Sequence, residues 1–91
     1  PQIDLARRDL ASRLSVAADT IDVDAAERVT WRDGALGCPQ PGRFYTQALT
    51  EGARIVLRHG GETYAYHSGA DGVPFYCAEP EKAAPPERDV K

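Results

Sequence analysis

One stretch of the sequence, from Arg32 to Arg43, constrains the fold more than any other because glycine and proline recur through it. Pro39 and Pro41 have no backbone N–H to donate, and the glycines around them favour turns over a helix or a strand. The stretch therefore predicts an irregular loop that divides the chain in two. At about a dozen residues the loop is long for a compact domain, and long ordered loops often carry functional residues.

The part before this loop begins with a pattern typical of an amphipathic helix. Apolar residues recur at spacings of three and four, which places them on one helical face. These residues are Ile3, Ala6, Leu10 and Leu14. Asp4 is the predicted N-cap, and the helix is expected to end near Ser15.

A strand is predicted next, because residues 21–25 alternate between apolar and polar side chains. The alternation slips at Ala25 and Ala26 before apolar residues resume at Val29 and Trp31. A β-bulge near Ala26 would restore the register, and two separate strand pieces are the alternative.

The part after the loop predicts further strands joined by tight turns. The predicted strands cover residues 44–49, 53–58, 62–67 and 73–77, with turns at 50–52, at Gly60-Gly61 and at 70–72. Consecutive strands with short turns form an antiparallel meander, whose apolar face a helix can cover. The sequence therefore predicts an α+β fold, with an N-terminal helix packed on a curled antiparallel sheet of four to five strands.

The length of 91 residues fits one domain. We assign residues 1–77 to that domain and residues 78–91 to a charged, proline-rich C-terminal tail. Such a composition does not form a core of its own, so the tail is expected to be ordered only where it lies against a neighbour.

The charge pattern argues against nucleic-acid binding. Eleven basic and fourteen acidic side chains give a net charge of −3, and no cluster of lysine or arginine is present to displace counterions from phosphates. No apolar stretch approaches the roughly 20 residues that span a bilayer. The first residues do not resemble a signal peptide, so an exported protein would be present here in its mature form.

Two cysteines, Cys38 and Cys77, are too far apart for a CxxC redox or zinc pair. In an oxidising compartment they would form a disulfide worth about 4 kcal/mol in the chain-entropy model. Both lie beside turn residues, where a covalent tie is useful, so the disulfide is the favoured interpretation. Two buried free thiols in a reducing compartment are the alternative.

No set of catalytic or metal-binding residues stands out. Asp22 and Asp24 share one face of a strand, which is more typical of a solvated face than of an acid–base pair. His59 and His67 lack further ligands at a recognisable spacing, so each is interpreted as a surface or hydrogen-bonded histidine. A free Cys38 could act with a histidine, but a disulfide removes that route. We therefore predict a protein that is not an enzyme and holds no metal or cofactor.

Aromatic residues concentrate in the strands and the loop. Alternation predicts that one ring of each adjacent pair is buried and that tyrosines remain on the outer face. Exposed tyrosines beside a stiff loop suit protein recognition, because they bring contact area at low entropic cost. The predicted binding residues are Trp31, Pro39, Gln40, Pro41, Tyr45, Tyr64 and Tyr66.

Residues 31–42 fit the pattern W-x-D-x-x-L-G-C-P-x-P-G, and they are followed by Tyr45, by Tyr64-x-Tyr66-His67 and by Cys77. This arrangement resembles a family of small, poorly characterised bacterial secreted proteins and lipoproteins. The resemblance implies export, a Cys38–Cys77 bond and no cofactor, but no particular activity. The order of the elements is also similar to that of PepSY-like and cystatin-like domains, which is an analogy at the level of the fold.

Together these observations predict a non-catalytic periplasmic or extracellular binding domain, or an accessory subunit, whose partner is another envelope or extracellular protein. The alternative is a protease inhibitor that inserts residues 37–42 into an enzyme cleft, where the prolines would lower the cost of ordering the loop.

Overall fold

The computed structural model describes residues 1–80, and the rest of the predicted tail, residues 81–91, lies outside that range. Helix α1 spans Gln2–Leu14 and precedes a short 3₁₀ turn at Ala18–Thr20. Within the described range four strands follow: β1 is Asp22–Trp31, β2 is Thr50–His59, β3 is Glu62–Ser68 and β4 is Phe75–Cys77. The predicted α+β fold, one helix on an antiparallel sheet, is confirmed.

Helix α1 has the predicted apolar stripe, of which Ala6 and Leu10 are buried against the sheet. The predicted N-cap is wrong. The helix begins directly after Pro1, which places Asp4 in the first turn, where the positive end of the helix dipole favours a carboxylate. The C-terminal end lies where it was predicted, because Ser15 leaves the helix in the left-handed region at φ 57°.

The sheet is an antiparallel meander in the order β1-β2-β3-β4. Strand β1 is continuous, and its register against β2 shifts between Val23 and Ala25, so the irregularity lies slightly before the predicted bulge near Ala26. The predicted strand at 44–49 is wrong. Since Trp31 pairs with Thr50, all residues between them leave the sheet together and connect β1 to β2. We call this connection, residues 32–49, the central loop.

Helix α1 covers one side of the sheet, which we call the helix face. Ile55 and Leu57 of β2 and Tyr66 of β3 project to this side, and all three are buried with residues of the helix. Alternation along the strands places them on the same face. This is the core that the apolar patterns of helix and sheet predict.

The opposite side of the sheet, the loop face, is covered by the central loop. The strands contribute four buried residues to this side: Val29 and Trp31 of β1, His67 of β3 and Cys77 of β4. Strand pairing and alternation place all four on the loop face. The loop contributes buried residues of its own, Ala35 and Cys38. The domain therefore has three layers, in the order helix, sheet and loop.

Candidate functional site: the central loop

Trp31, the last residue of β1, directly precedes the central loop and is fixed across the sheet by a hydrogen bond. Its indole N–H donates to the Ser68 carbonyl oxygen at 2.9 Å, and the side chain is almost completely buried. Gly52 lies between the two groups, and a Cβ there would overlap the Ser68 carbonyl and crowd the indole nitrogen. Glycine at this position is therefore required by the contact between Trp31 and Ser68.

His67 is the second anchor of the loop. Its ring stacks on Trp31 with centroids 4.7 Å apart, and its Nδ1 lies 2.7 Å from the Leu36 carbonyl oxygen. Because a carbonyl can only accept, Nδ1 carries the proton and Nε2 is left as an acceptor, buried and without a partner among the described residues. Burial lowers the pKa of His67 against the opposing effect of the Leu36 hydrogen bond, and the nearby charge of Arg54 lowers it further. Of the two predicted roles for this residue, hydrogen bonding is the one that is found.

A tight turn positions the Leu36 carbonyl. Leu36 and Gly37 both have positive φ, at 56° and 72°, and the Cys38 N–H donates to the Ala35 carbonyl at 2.9 Å. Two successive positive φ values are typical of a type I′ turn. A Cβ on Gly37 would overlap the Trp31 ring, so this turn packs directly on the first anchor.

A disulfide between Cys38 and Cys77 is the third anchor, and it confirms the predicted pairing. The two Cα atoms are 6.0 Å apart, and both cysteines are buried. The bond ties the loop to β4, which pairs with β3 over only three residues. No free cysteine remains, so the alternatives that require a free thiol do not apply.

Beyond the disulfide lies the loop tip, which we define as residues 39–45. The Arg43 N–H donates to the Gln40 carbonyl, with Pro41 and Gly42 (φ 78°) between them, which indicates a type II turn. The Gln40 N–H in turn donates to the Tyr45 hydroxyl at 3.0 Å. These bonds hold the tip in one shape without burying it.

The two limbs of the central loop are also linked to each other. The Gly34 N–H donates to the Thr46 carbonyl at 2.8 Å, directly after the tip returns toward the sheet. Asp33 accepts a hydrogen bond from the Ala35 N–H, which shapes the first limb. The tip is therefore fixed at both of its ends.

Phe44 is the most exposed large apolar residue of this surface, at 99 % of its maximal accessibility. The predicted strand at 44–49 led to the expectation that this ring is buried, which is wrong because the residue follows a turn and pairs with no strand. The exposure of Phe44 could have been predicted from the Pro41-Gly42 pair. This pair is typical of a turn and directly precedes Arg43 and Phe44.

The predicted binding residues divide into three groups. Pro39, Gln40 and Pro41 are exposed at the loop tip, and Tyr45 is half-buried beside them. Trp31 is buried, because it anchors the loop. Its selection as a surface residue is therefore wrong.

The remaining two predicted residues lie on the other side of the sheet. Tyr66 is buried in the helix-face core, and its hydroxyl donates to the Asp9 carboxylate at 2.6 Å, so its predicted exposure is wrong. Tyr64 is half-buried against the same core. Neither side chain lies beside the loop tip, because even-numbered positions of β3 face the helix while His67 faces the loop.

No group of three or more potential metal ligands is found among residues 1–80. An open cleft of about 320 Å³ lies on the helix face near the start of α1. Arg28 and Glu51 line it, and both are exposed side chains. No helix in the described range is long and apolar enough to cross a membrane.

A comparison with family models gives one match, which covers residues 3–77 and so includes the helix, the sheet, the central loop and both cysteines. The chain belongs to the family described as domain of unknown function DUF8738. No curated protein matches the chain. No solved structure matches it either.

Proposed function

We propose that this DUF8738 domain is a non-catalytic binding domain that presents its loop tip to another protein. The observation that carries the proposal is the full exposure of Phe44 on a loop that three separate anchors hold against the sheet. A large exposed ring that is held in one position can insert into a pocket on a protein partner and contribute much of the binding energy.

The magnitudes favour this use of the tip. Burial of a phenylalanine side chain contributes about 1.5–3 kcal/mol, which is available here only when a partner covers the ring. The turn at Gln40–Arg43 and the hydrogen bond to Tyr45 fix the backbone before binding, so little conformational entropy is lost when the partner binds. The surroundings of Phe44 thus lower the cost of recognition.

The proposed setting is the periplasm or the exterior of a bacterial cell, with the domain as an accessory subunit of an envelope or extracellular assembly. A buried disulfide between Cys38 and Cys77 supports this setting, because such bonds persist in oxidising compartments. The resemblance of residues 31–42 to secreted bacterial proteins supports it as well.

The inhibitor alternative has less support from the geometry. A substrate-like inhibitor loop runs extended through a protease cleft, whereas the turn at Gln40–Arg43 bends the chain back at that point. A panel of extracellular proteases tests the alternative directly, and tight inhibition that depends on Pro39 and Gln40 would favour it over the binding domain.

Site-specific photocrosslinking tests the proposed function. A photoreactive phenylalanine analogue replaces Phe44 in cells that naturally produce the protein, and the same analogue at Ala70, an exposed turn residue, serves as the matched control. We expect the analogue at position 44 to form one defined protein adduct, and we expect that adduct to be absent when the analogue is at position 70. Because Phe44 makes no buried contact, the replacement leaves folding unchanged. The proposal fails if both positions give the same adducts or if position 44 gives none.

A further inference from the structure

The central loop differs in charge from the rest of the chain. The chain holds fourteen acidic residues, yet none lies between Gly34 and Leu49, a stretch that includes the whole loop tip. The only charged side chain in this stretch is Arg43, which directly precedes Phe44 and is exposed. The loop tip is therefore a basic and apolar surface on an acidic protein.

A second arginine repeats this arrangement at the base of the loop. Trp31 pairs with Thr50, so their neighbours Arg32 and Leu49 leave the sheet side by side. Both are exposed, Leu49 at 73 %. An exposed arginine thus accompanies an exposed apolar side chain both at the tip and at the base.

The charges of these two arginines are available to a partner. Three other arginines, Arg13, Arg54 and Arg58, form ion pairs with carboxylates of their own chain. In the described part of the chain, Arg32 and Arg43 form no such pair. Guanidinium groups bind carboxylates through two parallel hydrogen bonds, which adds direction to the attraction.

We infer that the partner of the central loop is a protein surface with an apolar pocket for Phe44 and a rim of carboxylates that meets Arg43, while Arg32 at the loop base adds a second positive charge to the same loop. This inference rests on the proposed function and specifies its partner. The pocket supplies most of the binding energy through the buried ring. The carboxylate rim steers association and sets the orientation, so binding weakens as salt screens it.

An anionic membrane is the other surface that would attract arginine and phenylalanine, and the observations favour it less. Stable attachment to an anionic bilayer takes two buried anchors or a cluster of about four or more basic residues, whereas the loop offers one exposed phenylalanine and two arginines. The net charge of −3 opposes the approach of the rest of the protein. Trp31, whose ring would suit the membrane interface, is buried.

The crosslink through position 44 first identifies the partner protein. That partner is then purified on its own, without the crosslink, and its reversible binding to the full chain is measured. Dissociation constants are measured for the wild type, Phe44→Ala, Arg43→Glu and the matched control Arg8→Glu, which reverses an exposed arginine on the helix. We expect Arg43→Glu to weaken binding by about ten-fold or more and Arg8→Glu to leave it within about two-fold. We expect wild-type affinity to fall between about 50 and about 300 mM NaCl. Each variant is first shown to fold by circular dichroism.

The outcomes separate this inference from the proposed function. If Phe44→Ala weakens binding while Arg43→Glu and salt do not, the loop binds a protein but the carboxylate rim is wrong. If Phe44→Ala has no effect, or if position 44 gives no protein adduct, the proposed function fails and the inference with it. Binding to phosphatidylcholine vesicles with about 30 % phosphatidylglycerol that is lost in Phe44→Ala overturns the inference in favour of a membrane.

Discussion

The two faces of the sheet are held together by different kinds of contact. On the helix face, Leu10, Ile55 and Leu57 are among the buried residues of one apolar cluster, where the helix packs on the strands. On the loop face, the covering layer has no regular secondary structure. It is fixed by an imidazole N–H, by a disulfide and by the packing of Gly37 on the Trp31 ring, which its own N–H holds to Ser68. The helix face depends on buried area, and the loop face depends on a few directional contacts.

This difference determines how each face responds to substitution. Apolar packing tolerates changes that conserve volume, because it has little directional requirement. A hydrogen bond between buried groups fails when one partner is moved or removed, and the other partner then remains unsatisfied. The loop face should therefore be sensitive to small changes at a few positions, while its exposed tip tolerates many.

Removal of the disulfide should have the largest effect. The double variant Cys38→Ala with Cys77→Ala is expected to lose about 4 kcal/mol of the free energy of unfolding, measured by urea denaturation. Hydrogen exchange should show that amides of the central loop lose protection before those of α1, since only the loop face depends on this bond. Equal loss on both faces would mean that the bond acts on the whole domain and not on the loop in particular.

Leu10→Ala tests the helix face at a similar scale. The side chain is buried beside Ile55 and Leu57, so its truncation should cost about 3 kcal/mol through lost contact and a residual cavity. Ser12→Ala on the exposed side of the same helix is the control and should change stability by less than about 0.5 kcal/mol. If hydrogen exchange showed that Leu10→Ala removes amide protection from the central loop before it removes protection from α1, the division between the two faces would be contradicted.

Gly52→Ala adds one methyl group on the loop face. The new Cβ would overlap the Ser68 carbonyl, so the Trp31 hydrogen bond must break or β3 must move, at a cost of about 1–3 kcal/mol. Near-ultraviolet circular dichroism and tryptophan fluorescence should change with it. Gly34→Ala is the matched control, because its Cβ would make only ordinary contacts and its φ is not positive. If Gly52→Ala and Gly34→Ala are equally stable, the close approach of the Ser68 carbonyl does not restrict position 52 to glycine.

The sequence predicts the helix face well and the loop face only in part. Periodicity in α1 and alternation in β2 place apolar residues correctly, because burial of a stripe leaves a regular pattern. Pro39 and Pro41 predict that a loop is present, and the two cysteines predict a tie. Nothing local shows that Trp31 reaches Ser68, since that contact depends on the pairing of three strands.

The same reason explains the errors at the candidate site. Tyr66 and His67 are neighbours in the sequence but lie in different layers, and which of them meets the helix depends on the register of β3. Alternation around Phe44 predicts a strand, but β1 already pairs with β2 at Trp31 and Thr50, so no strand forms there. Exposure of Phe44 follows from topology, which local patterns do not contain.

Mild acid should weaken the loop face through His67. Burial lowers the pKa of this imidazole from its ordinary 6.5, so the unfolded chain takes up a proton at a pH where the folded domain does not. The contribution of His67 to stability is therefore complete above pH 6.5 and decreases as the pH falls below it, until the lowered folded pKa is reached. On the helix face, the Tyr66 hydroxyl holds the pKa of Asp9 below its ordinary 3.8, so that contact persists to lower pH.

Urea denaturation between pH 7.5 and pH 4.5 measures this dependence, with His67→Gln compared against His59→Gln at the end of β2. We expect His67→Gln to be less stable at neutral pH and to lose most of the decline below pH 6.5, and His59→Gln to keep that decline. Proton NMR of the wild type follows the His67 ring directly and should show a titration below that of an unfolded histidine. A ring that titrates at or above 6.5 would mean that a proton on Nε2 is accommodated, and the loop face would then be no more sensitive to acid than the helix face.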